Sequence, residues 1–239
     1  LKITEPRHTV VVRMPKDPEQ VRFDPLTKTL HKLEFNPGDD KLRRQLTAAP
    51  DVIGRILAGK ELVKTGKRAN VRAVADAWAA EPFWGVRVEW AQALGEAGVE
   101  PAIEALADLV AREQDPMVLA AVIRAAGSYR DERIRAAVEA RLDGGLDLYS
   151  ARAAAYVALG NQRAAAPFDR LVEAARRDSY NGIEQSAAMR ALAATRRDEA
   201  IPVLLELAAH GATSNRARPA AVGSLGAVGR LQEKAPRAR

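Results

Sequence analysis

The sequence predicts a mainly α fold: a right-handed α-solenoid of five to six helical hairpins, preceded by a short N-terminal β-hairpin segment. Three observations carry this. First, one helix recurs. Its clearest copy is Gly85-Val86-Arg87-Val88-Glu89-Trp90-Ala91-Gln92-Ala93-Leu94-Gly95, and the Leu94 position falls again at Leu62, Ala126, Leu159, Leu192 and Leu225, in steps of 32, 32, 33, 33 and 33 residues. A period held over so many copies marks stacked units, each burying its apolar face on the next. Second, the chain is 47% hydrophobic but only 5% aromatic. That suits thin Ala-rich helices packed closely, and it is poor material for a large aromatic-lined pocket. Third, residues 1–35 break the helical pattern with β-branched, alternating stretches between prolines.

In chain order, Thr9-Val10-Val11-Val12-Arg13 reads as a strand bracketed by Pro6, Pro15 and Pro18. Gln20 to Asp24 alternates and ends in the turn Asp24-Pro25-Leu26-Thr27-Lys28, because proline presets its φ and Asp can bond the backbone ahead. Thr29 to Phe35 alternates again, with Leu33 and Phe35 on one face and His31 in the same register. Two or three strands do not stand alone in water. The chain is therefore expected to divide into 1–36, the remnant of a β-sandwich, and 37–239, the helical array. A first residue of Leu1, with the first methionine at Met14, adds the expectation of a fragment, a processed product or a trimmed piece.

Helices are expected from Lys41, at 52–63 with Asp51 as N-cap, and at 70–78. First helices of later units begin near Phe83, Pro116, Leu148, Gly182 and Asn215. Partner helices lie at about 101–112, 132–142, 164–176 and 199–210, with Pro101, Pro167 and Pro202 in their first turns. A Gly or a short polar turn is expected to end the first helices, at Gly95 to Gly98, Gly127 to Asp131, Gly160-Asn161 and Thr195 to Asp198, where Gly supplies a positive φ. The last unit is one helix, Ala217 to Val228, followed by a basic tail.

The net charge is +6, with basic clusters at Arg43-Arg44, Lys64 to Arg68, Arg176-Arg177, Arg196-Arg197 and Lys234 to Arg239. These are scattered rather than set once per repeat, so solvated faces are favoured over a nucleic-acid stripe. Arg55, Arg87 and Arg152 do hold one register, with Leu119 at the missing rung, and should tie each unit to an acid of the next. The aromatics Trp78, Phe83, Trp84 and Trp90 cluster in the second unit. Packing between units is the first reading for them, and a recognition hot spot is the alternative.

Chemistry is sparse. There is no cysteine, which removes disulfides and thiolate sites and is compatible with the cytoplasm, the expected location. No apolar run approaches the roughly 20 residues that span a bilayer. His8, His31 and His210 are far apart and form no His-Glu-x-x-His. No nucleophile elbow or phosphate loop is present. Ser128, Ser150, Ser179, Ser186, Ser214 and Ser224 suit capping, and Asp39-Asp40 and Asp131-Glu132 suit helix first turns. No residue is assigned a catalytic, cofactor-binding or metal-binding role.

The period and the Val-Arg…Ala-Leu-Gly pattern resemble short HEAT-like repeats. More specifically, Val21 to Phe35, followed by Val52-Ile53-Gly54-Arg55 and by Glu81-Pro82-Phe83-Trp84-Gly85-Val86-Arg87, resembles the end of the β-sandwich and the first helices of bacterial zinc aminopeptidases of the aminopeptidase N family. That resemblance implies a parent metallopeptidase holding one zinc. The helical domain would be non-catalytic, a concave wall that shapes substrate access and stabilises the parent. Its partner would be the parent's catalytic domain, and it would meet peptide substrates only indirectly. None of that family's zinc ligands is present, so no catalytic residue carries over. The alternatives are a free-standing HEAT-repeat scaffold for protein–protein interaction and, third, a basic nucleic-acid binder. Residues 1–35 are expected to support self-association. Gly85 to Gly95 is expected to pack between helices and touch no substrate.

Overall fold

A computed structural model describes residues 7–26, 28–30, 32 and 34–233, with side chains to Arg230. Twelve α-helices are formed among them: α1 (Asp39–Ala48), α2 (Val52–Lys64), α3 (Arg68–Ala77), α4 (Trp84–Glu96), α5 (Glu100–Arg112), α6 (Pro116–Ala126), α7 (Glu132–Asp143), α8 (Tyr149–Gln162), α9 (Phe168–Arg176), α10 (Ile183–Thr195), α11 (Ala200–Ala208) and α12 (Arg218–Glu233). Single 3-10 turns occupy Trp78–Ala80 and Tyr180–Gly182.

The helices stack in two rows. In the even row each of α2, α4, α6, α8, α10 and α12 packs on the next. In the odd row α1, α3, α5 and α7 do the same, whereas α9 and α11 pack chiefly on α10 and α12. One apolar core runs from Leu42 to Val228. The repeated position is its spine: Leu62, Leu94, Ala126, Leu159 and Leu192 are all 0% exposed. Within α4, Val86, Trp90, Ala91, Ala93 and Leu94 are buried, so the 85–95 stretch does pack between helices.

Caps fall where the sequence places them. Asp51 accepts from the Gly54 N–H at 2.7 Å, Asp115 from Met117 and Val118, and Asp131 from Arg133. Two expectations fail. Pro167 is the N-cap of α9 and not in its first turn, because a turn occupies 165–167. Of the glycines in the turns after the first helices, Gly98 has a positive φ (65°), but Gly95, Gly127 and Gly160 do not. They are small because the next helix is close. A Cβ on Gly95 or Gly127 would lie 3.0 Å from Ala125 or Ala158, and one on Gly160 only 2.4 Å from the Ala191 carbonyl oxygen. The left-handed caps after α8 and α10 are instead Arg163 (φ 57°) and Arg196 (φ 59°).

The expected β-hairpin is corrected. No strand is formed among the described residues over 9–13, 20–24 or 29–35, and Val10, Val11 and Val12 are all exposed rather than alternating. A short ribbon without a sheet to pair with gains too little burial to hold its ladder. The Asp24 turn survives, with its carboxylate accepting the Thr29 N–H at 2.7 Å. Thr27, His31 and Leu33 of that expectation, and the tail Lys234 to Arg239, lie outside the described residues. The segment lies against α1 and α2 without regular structure. Arg22 forks onto Asp51 at 2.5 and 2.9 Å, Lys41 reaches Asp17 at 2.9 Å, and Val21, Phe23 and Phe35 face Leu42, Ile53 and Leu57 around a cavity of about 530 Å³.

Candidate functional site

The two ends of the even helices carry different chemistry. At their N-terminal ends a ladder of charge pairs is buried. Arg55 donates to Glu81 at 2.7 and 3.1 Å, Arg87 to both oxygens of Glu113 at 3.0 Å, and Arg152 to Glu184 at 2.8 Å twice. Each acid belongs to the start of the following unit or the turn before it, as the register predicted. Hydrogen bonds to Glu81 and Glu184 hold the Arg55 and Arg152 guanidiniums above their usual value. The ladder ends because the same register position holds Gln185 in α10 and Arg218 in α12, and these donate to the Ala175 and Ala208 carbonyls instead of to an acid. At Leu119 the rung is replaced by a buried apolar side chain. These pairs fix the register between units, which is a structural role.

The aromatic cluster splits. Trp78 and Trp90 are core residues with ring centroids 6.3 Å apart, and their indole N–H groups donate to Glu113 and to the Arg55 carbonyl. Phe83 and Trp84 form a second pair, 5.7 Å apart, that faces solvent. Trp84 belongs to a rim the sequence reading missed. Ile53, Trp84, Met117, Tyr149 and Tyr180 sit at or just before the N-terminal ends of successive even helices and are 37–66% exposed. Their spacing is 31, 33, 32 and 31 residues. Tyr149 and Tyr180 touch across units, with centroids 5.4 Å apart. Neighbouring units thus present one large apolar side chain each along one edge.

The opposite ends are polar and basic. A groove of about 900 Å³ runs past the C-terminal ends of α6, α8 and α10 to the face of α12, and its lining includes Arg130, Arg163, Arg190, Arg196 and Arg216 but no Asp or Glu. Arg130, Arg163 and Arg196 are spaced by 33 and 33 residues. This corrects the reading of basic residues as scattered. Adjacent basic pairs were the wrong signal, and a common step was the right one. Arg197 turns away to Glu199 at 2.8 Å and lies over the Phe168 ring at 5.0 Å, while Arg196 faces the groove. None of the five groove arginines pairs with a carboxylate among the described residues. Arg130 and Arg190 are held by the carbonyls of Asn161 and Ser186 at 3.2 Å, and Arg216 by the Asn181 side chain. Desolvation, then the like charges of Arg130 and Arg196, push the Arg163 guanidinium below its usual value. Arg163 and Arg196 hold a left-handed backbone that disfavours side chains by about 1–2 kcal/mol. Helix C-terminal dipoles favour a cation at each of those two caps, but Arg190 is inside α10 and Arg216 precedes α12. Ser224, buried in the groove wall, has a hydroxyl without a hydrogen-bond partner among the described residues.

Among the described residues, no three His, Cys, Asp or Glu side chains gather as a metal site would require. No helix among them is long and apolar enough to cross a membrane. A family model described as HEAT repeats matches residues 71–160. With the stacked hairpins, this shows a HEAT-like helical domain. No curated protein matches the chain. Among solved structures, human deoxyhypusine hydroxylase in complex with glycerol is similar over 80% of this chain and 96% of that chain, at 15% identity and a TM-score of 0.36. A likeness that loose carries no argument about chemistry.

Proposed function

We propose that the chain is a protein-binding scaffold, a helical array that holds a partner along its even-row edge. The observation that carries this is the rim of Ile53, Trp84, Met117, Tyr149 and Tyr180, one exposed large apolar side chain per unit. Scattered exposed apolar residues need no explanation, but a periodic row is what a partner spanning several units would contact. HEAT repeats generally mediate protein–protein interaction, which agrees. The narrower reading, an accessory wall of a zinc aminopeptidase, keeps only the resemblance of residues 21–35, 52–55 and 81–87 behind it. The strands that suggested it are not formed among the described residues.

A photo-crosslinking residue placed at Met117 or Tyr149, with Asp169 on α9 as control, tests the scaffold reading in cells. The rim sites should label a common protein that Asp169 does not. That protein, purified, should bind the Trp84→Ser/Met117→Ser variant at least about tenfold more weakly, as loss of two apolar anchors predicts. Identical labelling from rim and control sites would overturn the reading.

A further inference from the structure

We propose that the arginine groove binds an extended acidic peptide segment of a partner protein, with its carboxylates set at every third residue. The proposal rests on the scaffold reading and assigns a second surface, which runs from the C-terminal ends of α6, α8 and α10 to Arg216 and the first half of α12.

The repeat brings unpaired positive charge together in one groove. Arg130, Arg163 and Arg196 come from three successive turns, and Arg190 and Arg216 close in from α10 and from the turn before α12. Across most of the array basic side chains find acids: Lys60 with Glu89, Lys67 with Asp39, Arg68 with Glu104, Arg133 with Glu100 and Asp131, Arg176 with Glu206. Here five guanidiniums line a single groove and no carboxylate of the chain reaches them among the described residues. A neighbouring depression of about 460 Å³ shares Ser186 and Arg190, adds Arg124, and is also without an acidic residue. Like charges brought together without counter-ions are complementary to an anionic ligand.

The floor decides the class of ligand. It is built from small residues, among them Gly127, Ala193, Ala194, Ala220 and Gly223, with Ser128 and Asn161 beside them. No aromatic lines it, so the stacking platforms that single-stranded nucleic acids use are missing. Small residues with polar neighbours suit a peptide backbone. Packed helices lie about 8–10 Å apart. An extended chain advances about 3.3 Å per residue, so every third residue returns after about 10 Å. Successive ladder arginines therefore match carboxylates at positions i, i+3 and i+6. Each guanidinium presents a planar fork that suits a carboxylate.

The test uses the whole chain and fluorescence anisotropy. The probes are a labelled peptide with Glu at every third position in a Ser/Ala background, its isomer with the same glutamates consecutive, a neutral peptide, and single-stranded and duplex oligonucleotides of equal charge. The spaced peptide should bind most tightly, with affinity falling as salt rises. Arg163→Asn/Arg196→Asn should weaken it at least about tenfold; Asn suits the left-handed caps, so the variant loses charge without losing the turn. Arg130→Gln, at a position outside those caps, should act in the same direction. Equal binding of the two acidic isomers, or binding undiminished in these variants, overturns the proposal. Tighter binding of either oligonucleotide overturns it in favour of a nucleic acid. Rim crosslinks to a protein without acidic-peptide binding would remove the groove assignment and leave the scaffold reading standing; failure of both would remove both.

Discussion

Glu113 is the most heavily used acceptor among the described residues, and replacing it isolates what the buried ladder contributes. Its side chain is 3% exposed. Oε1 accepts from Arg87 and from the backbone N–H groups of Gln114 and Asp115, and Oε2 accepts from Arg87 and from the Trp78 indole at 2.7 Å. Glu113→Gln keeps the shape. Its carbonyl oxygen can replace Oε1, but its NH2 then faces the Trp78 N–H and the Arg87 guanidinium, donor against donor. An unsatisfied buried donor costs about 1–3 kcal/mol, and a buried ion pair left with one partner costs about 3–5 kcal/mol in total. At about 2–4 °C per kcal/mol for a chain of this length, the melting temperature should fall by roughly 10 °C. Arg87→Met should cost less, because Glu113 keeps the indole and two backbone donors. The double variant should recover part of the sum, with a coupling of about 1–3 kcal/mol. Circular dichroism against temperature and urea reads all four corners of the cycle. The exposed pair Arg68–Glu104 is the control, and Glu104→Gln should leave the midpoint in place. If Glu113→Gln moves the midpoint no further than Glu104→Gln does, the buried ladder does not hold the units together and the argument fails.

Four further outcomes follow from single sites. Gly160→Ala should destabilise: its Cβ would meet the α10 backbone at 2.4–2.8 Å, and overpacking of about 1–3 kcal/mol exceeds the roughly 1 kcal/mol gained in helix propensity. Gly226→Ala, with nothing within 4 Å of its Cβ, should instead stabilise by about 0.5–1 kcal/mol, and denaturant titration separates the signs. Hydrogen bonding from Arg22, aided by the Gly54 N–H, holds the Asp51 carboxyl below its usual 3.8. A depressed folded value means the contribution is complete above 3.8 and is lost as pH falls through the lower folded value. Asp51→Asn keeps a capping residue, so its melting deficit should hold at neutral pH and shrink below pH 4; a deficit independent of pH would refute the charge pairing. Tyr129→Phe, which loses a bond to the Leu94 carbonyl at 2.6 Å and one from the Gly98 N–H at 2.9 Å, should cost about 1–2 kcal/mol by the same titration.

The repeat was legible because each unit buries one side chain in one place. Leu62 through Leu192 are fully buried, while Leu225, on the last helix of the described array, is only half-covered. The charge ladder was legible for the same reason: Arg55, Arg87 and Arg152 share one register, although Arg55 and Arg87 find an acid 26 residues on and Arg152 finds its acid 32 residues on. The N-terminal segment was misread because alternation of β-branched residues describes what a strand could bury, not whether a neighbour exists to bury it. The groove was hidden because runs of like charge were taken as the unit of meaning. In a solenoid, chain neighbours such as Arg196 and Arg197 leave in different directions. Residues one period apart are the ones that become neighbours in space.

The glycines connect packing to the proposed binding surface. Gly95, Gly127 and Gly160 lie at or near the C-terminal ends of α4, α6 and α8, and each meets an alanine of the next even helix at a distance a Cβ would close. With no side chain there, the helix ends approach each other. The turns that follow are drawn together with them, and those turns carry Arg130 and Arg163, with Arg196 after α10. Widening these contacts by a few tenths of an ångström per unit would separate the guanidiniums and lower their mutual repulsion, which is the cheaper arrangement for a chain with nothing to bind. The array keeps the close approach, and with it a concentration of positive charge along one groove. The same period that stacks the apolar core therefore also sets the spacing of the charges, and the rigidity of that stack fixes the register an acidic segment would have to match.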